Sequence, residues 1–124
     1  MPMQAATLMR SLLVICAILF TTPIKQAESA SPSLFYAVLP LNHGKKDCLS
    51  RAYTAIASEI TGQTLKRADD VALVNDDYNL AVHCRRTRDK KSVVTIIVTH
   101  RSSFQEAKGL ALNILRGMET GQLE

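Results

Sequence analysis

The sequence predicts an α+β domain: two helices packed on one face of a three- to four-stranded antiparallel sheet, preceded by a signal peptide. Three observations carry this expectation. Residues 79–99 contain two runs of alternating apolar residues separated by a charged turn. Two further segments, opening at Lys45 and Ser103, carry apolar residues at helical spacing. An apolar run near the start is too short to cross a membrane.

The composition fits one small folded unit. A chain of 124 residues with 47% hydrophobic and 21% charged residues is neither disordered nor membrane-embedded in character. With no Trp and only 5% aromatic residues, the core is to be built from Leu, Ile, Val and Ala.

Arg10 is the only charge before the run Ser11 to Ile24. That stretch of about 14 residues makes a helix of roughly 21 Å, against a hydrocarbon core of about 30 Å. It has the length of a signal-peptide apolar region, broken by Pro23 and followed by the small residues Ala27, Ser29 and Ala30. Cleavage is expected after Ser29, with Ala27 and Ala30 as alternatives. Residues 1–29 are thus the signal peptide and 30–124 the folded domain. Two other readings are an uncut N-terminal anchor and a lipoprotein signal at Cys16. Ile15 is too bulky for the small residue that an acylated cysteine requires before it. Export places the domain in the periplasm or outside the cell, with no stable membrane span after cleavage.

Leu34 to Leu41 is expected as a strand ending near Pro40. Lys45 to Thr61 follows as a helix with Leu49, Ala52, Tyr53, Ile56 and Ile60 on one face and Gly62 as its stop. The polar stretch Gln63 to Asp70 is expected as loop. Val71 to Val74 is a short strand before the turn-forming Asn75-Asp76-Asp77. Leu80, Val82 and Cys84 alternate with Ala81, His83 and Arg85, and Val94, Ile96 and Val98 alternate with Val93, Thr95, Ile97 and Thr99. A three-residue loop at Arg88-Asp89-Lys90 sets the two apolar triplets opposite each other, and a slip of one residue would mix the faces. Ser103-Phe104-Gln105-Glu106 has the form of a capping box. It opens a helix with Ala107, Leu110, Ala111, Ile114, Leu115 and Met118 on one stripe. The order β-α-(β)-β-β-α resembles, in topology alone, a ferredoxin-like sandwich lacking its last strand; such a resemblance implies no activity.

Removing the leader takes Cys16 away and leaves Cys48 and Cys84, for which an oxidising compartment offers one intramolecular pairing. If the first strand runs upward, Cys48 begins the next helix at the top, and Cys84 returns near the top on the helix-facing side of its strand. Closing a loop of about 36 residues stabilises by roughly 4 kcal/mol in the chain-entropy model. No Cys-x-x-Cys spacing points to redox chemistry, so the bridge is expected to be structural.

Residues 30–124 keep 13 Lys and Arg against 10 Asp and Glu, a net charge of +3. The cations are unevenly placed. Arg85, Arg86, Arg88, Lys90 and Lys91 crowd the hairpin tip, and Lys45 and Lys46 open the first helix at the same edge. This basic edge is the candidate site for an acidic protein or an anionic envelope component. Nucleic acid is not expected as a partner, because no aromatic platform interleaves with the cations. His43, His83 and His100 show no ligand spacing, Asp69-Asp70 and Asp76-Asp77 fit no calcium loop, and Ser102-Ser103 lacks a glycine elbow. No cofactor, metal or catalytic constellation is expected, which favours a non-enzymatic binding module. The alternative is a small enzyme or ligand-binding sandwich. The outer sheet face, with Ala81, His83, Val93, Thr95, Ile97 and Thr99, is apolar for a surface facing water and gives a second expectation, a homodimer by sheet-to-sheet packing.

Overall fold

The computed structural model describes residues 33–120. They form β1 (Ser33–Leu41), α1 (Lys45–Glu59), β2 (Gln63–Lys66), β3 (Asp70–Val74), β4 (Tyr78–Arg86), β5 (Ser92–His100) and α2 (Phe104–Thr120). The signal-peptide reading and its boundary at residue 29 lie outside the described residues.

The alternation in residues 80–98 produces the hairpin it calls for. Leu80 pairs with Val98, Val82 with Ile96 and Cys84 with Val94. At the tip, Thr87 N–H donates to Lys91 O at 2.9 Å and Lys90 N–H donates to Thr87 O at 3.3 Å. Lys90 has φ 62°, the left-handed conformation that a three-residue hairpin loop requires of its last residue.

The sheet is open and fully antiparallel, in the order β1-β5-β4-β3-β2. It has five strands, which corrects the expectation of three or four. Gln63–Lys66, whose polarity reads as loop, pairs with β3 from Gln63↔Val74 to Lys66↔Val71. All four of its residues are exposed, so no buried alternation marks it in the sequence. The added β2–β3 hairpin extends the sheet beyond β4, and the order departs from a ferredoxin-like sandwich short of one strand.

Both helices lie on one face, α1 over β4 and β3, α2 over β1 and β5, in contact with each other. Val71, Leu73, Leu80, Val82, Val94, Ile96 and Val98 supply the sheet side of the core. Each of these side chains, taken from water, stabilises by about 1.5–3 kcal/mol. The α2 stripe is buried as its periodicity requires: Ala107, Leu110, Ala111, Ile114, Leu115 and Met118. On α1 the buried residues are Cys48, Ala52, Ala55 and Ile56, a stripe rotated from the one read in the sequence. Tyr53 sits at its rim, exposed, with Lys66 Nζ 5.5 Å above its ring.

The ends of these elements have specific causes. α1 stops at Glu59, and Ile60 is already extended. Gly62 therefore is not the left-handed stop expected of it. It is a point of close approach: a Cβ there would lie 2.7 Å from Val74 O and 2.8 Å from Leu73 Cδ2. Asn75 forms the β3–β4 turn. Its Oδ1 accepts from Asp77 N–H at 2.9 Å and Tyr78 N–H at 2.8 Å, and its Nδ2 donates to Thr61 O at 3.0 Å. Ser103 caps α2, its Oγ accepting from Glu106 N–H at 3.2 Å. The return half of the capping box is replaced. His100 Nδ1 accepts from Ser103 N–H at 2.9 Å, which leaves Glu106 to accept from Tyr78 Oη at 3.1 Å. Burial and the neighbouring Glu106 carboxylate raise the Tyr78 phenol above its ordinary value.

Cys48 and Cys84 are both fully buried, with their Sγ atoms at a bonding distance of 2.07 Å and Cα atoms 6.1 Å apart. The pairing expected from topology is the one found. Replacing both residues by alanine is expected to cost about 2–5 kcal/mol, read by chemical denaturation. A wild-type midpoint that ignores reductant would instead mean two buried free thiols. Gly62→Ala is expected to cost about 1–3 kcal/mol through overpacking against β3; an unchanged melting temperature would refute the close-approach argument.

Candidate functional site

The basic edge is built where three segments end near one another. The first is the turn from β1 into α1. Gly44 has φ −68° and ψ 166° and supplies no side-chain cap, so the first amides of α1 present their partial positive charge without a capping oxygen. Ser92 Oγ donates to His43 O at 2.7 Å and fastens this turn to the start of β5. The hairpin tip comes up beside it: a Cβ on Gly44 would stand 3.4 Å from Lys90 O. Asp47, in the first turn of α1, has its Oδ2 engaged by His43 Nδ1 at 2.8 Å and Arg51 Nε at 3.0 Å. Arg51 also donates to Met118 O at 2.9 Å, tying α1 to the last turn of α2.

The third segment is the β2–β3 connection. Arg67 holds Asp70 through two bonds of 2.6 and 2.9 Å, and Arg67 N–H donates to Asp70 O at 2.9 Å. Asp69 O accepts from Cys84 N–H at 2.9 Å, and the Asp69 carboxylate pairs with the Lys45 ammonium. That hydrogen bond and charge hold the Asp69 carboxyl below its ordinary value of 3.8.

Between these segments lies an open cleft of about 880 Å³, lined by Gly44, Lys45, Lys46, Asp47, Leu49, Ser50, Ala68, Arg86 and Lys90. Of the seven cations singled out in the sequence, Lys45, Lys46, Arg86 and Lys90 come together here. The other three do not line it. Arg85 pairs with Val93 in the register that alternates with the buried positions, so it belongs to the opposite sheet face. Arg88 and Lys91 stay at the hairpin tip, where Lys91 Nζ is 3.9 Å from Asp89 Oδ2 and the Asp89 carboxylate accepts from the Thr87 hydroxyl. The sequence reading did not foresee Gly44, Leu49, Ser50 and Ala68 as lining residues, nor the Lys45–Asp69 pair. Asp69 falls within the Gln63 to Asp70 stretch, whose polarity reads as loop and fixes no position for its carboxylate. A polar segment as short as Gln63–Lys66 carries no burial signal that would have found it.

Among the described residues, no group of three or more His, Cys, Asp or Glu side chains is arranged to hold a metal ion. No helix among them is long and apolar enough to cross a membrane. No known protein family's model matches this chain, and a search of curated proteins returns no significant match.

Because the folded-state value for Asp69 is depressed, its pair with Lys45 supports the fold above the ordinary carboxylate value of 3.8 and is lost as pH falls through the lower folded value. Titration of the Asp69 carboxyl by NMR is expected to give a midpoint below 3.8 that moves upward in Lys45→Met. A midpoint indifferent to Lys45 would show that the pair does not persist in solution.

Proposed function

We propose that this chain is a small exported, non-enzymatic binding module that takes an acidic protein or an anionic envelope component in the cleft beside α1. One observation carries the reading: Lys45, Lys46, Arg86 and Lys90 surround a single concavity at the uncapped amide end of a helix. Lys45 is partly neutralised by Asp69, whereas no ion pair to Lys46, Arg86 or Lys90 occurs among the described residues. Those three cations offer their charge to a partner at little cost in broken contacts. The export half of the proposal is supported by the length of the apolar leader and by a cysteine pair placed for a structural bridge.

Attraction of this kind is screened over about 8 Å at physiological salt, so it requires close contact and steers association more than it fixes affinity. A second reading, a small anionic ligand seated in the cleft, is favoured by the volume of about 880 Å³, which lies within the size range of ligand sites. It takes the same cations.

Calorimetry with polyglutamate as the acidic probe separates a defined site from a diffuse field. Binding is expected to weaken about tenfold in Arg86→Glu/Lys90→Glu and to fade as salt is raised. Arg85→Glu/Arg88→Glu, the same change in net charge outside the cleft, is expected to retain most of it. Equal losses in the two variants would remove the cleft from the argument, and competition by small dicarboxylates would favour the ligand reading.

A further inference from the structure

Among the described residues the sheet has one helical layer, and its other face carries a large share of their exposed apolar surface. Of the nine large hydrophobic side chains exposed among the described residues, six belong to that face: Leu34, Tyr36, Val38, Leu65, Val74 and Ile97. Tyr36 is 65% exposed and Val38 58%. Register joins them into a continuous strip. Tyr36 lies beside Ile97, Ile97 beside Ala81, Ala81 beside Ala72 and Ala72 beside Leu65, an apolar row crossing all five strands.

The charge distribution on this face is as telling as its hydrophobicity. Along β1 and β5, none of the outward positions, 34 to 40 and 93 to 99 taken alternately, carries a charge at neutral pH. Acidic and basic side chains on the face begin only at β4 and β3, with His83, Arg85 and Asp70. Among the described residues β1 is also an edge strand, nine residues without a single charged side chain, and Pro40 is the one residue in it that blunts pairing. Edges that stay solvated in isolation normally carry charge, bulges or cover.

We propose that a second copy of this chain covers the face, with the β1–β5 halves packed sheet against sheet across a two-fold axis. A two-fold interface sets each residue near the axis against its own image, so any charge there would meet a like charge. The uncharged β1–β5 half meets that condition. An acidic or basic partner would find no countercharge on it. The β1–β5 half, two strands about 31 Å long spaced about 4.8 Å apart, offers a footprint of about 300 Å² per copy. A pair would cover about 600 Å², the size of a weak, concentration-dependent contact and not of a permanent interface. Aligned sheets packed this way cross at about 30°. The cationic clefts lie toward the helical side and would remain open on both copies. The inference is independent of what those clefts bind.

Sedimentation velocity over a concentration series, on protein expressed from the full 124-residue sequence, tests the proposal. Wild type is expected to pass from monomer to dimer with rising concentration. Tyr36→Glu is expected to weaken the dimer by about 100-fold or more, because two buried carboxylates would face each other. Leu112→Glu, on the exposed side of α2, is expected to leave it within a few-fold. Should Tyr36→Glu fail to fold, NMR of the wild type still decides: amide shifts that change with concentration are expected along β1 and β5. A wild type that stays monomeric throughout overturns the proposal. So does a dimer whose shifts map to the helices, or a monomer that instead attaches to neutral lipid vesicles through this face.

Discussion

Among the described residues, the fold follows from burying one face of a five-stranded sheet under two helices and giving the other face no such cover. Val71, Leu73, Leu80, Val82, Val94, Ile96 and Val98 all point toward α1 and α2 and are almost wholly removed from water. Because strand side chains alternate with a period of two, that single requirement fixes the register of β3, β4 and β5 together. It also sorts every other residue of those strands. Arg86 falls on the helical side and lines the cleft, whereas Arg85, its neighbour in sequence, is sent to the far face with Ala81 and His83.

The cleft depends on a second set of constraints that hold its walls at fixed separation. The Cys48–Cys84 bond pins the first turn of α1 to β4, and Ser92 Oγ on His43 O pins the preceding turn to β5. Cys84 N–H on Asp69 O brings the β2–β3 connection to the same edge. These links make four cations from three separate segments into neighbours. They also set the acidic counterweight, since Asp69 reaches Lys45 only because β2 and β3 extend the sheet to that point.

Much of the architecture was legible in the residues. The Leu80–Cys84 and Val94–Val98 alternation determines the hairpin and its register, and the 107–118 stripe determines which side of α2 is buried. Partial legibility has physical reasons too. On α1, Tyr53 matches the helical period as well as Ala55 does, and only the proximity of the sheet selects the smaller residue for burial. At the start of α2, Ser103 and Glu106 read as a reciprocal cap, yet His100 Nδ1 intervenes from the end of β5 and frees Glu106 for Tyr78.

The sequence by itself determined the α+β class, the hairpin, both helices, the pairing of Cys48 with Cys84 and the crowding of cations at one edge. These rest on local periodicity, on short-range turn chemistry and on a topology that returns Cys84 to the end of the sheet where Cys48 opens its helix. Tertiary structure alone decided the fifth strand, the division of the cations into four that line a cleft and three that do not, and the apolar strip from Tyr36 to Leu65. Each of those depends on how segments remote in sequence are brought together, and the fifth strand, exposed at all four positions, leaves no periodic mark of its own.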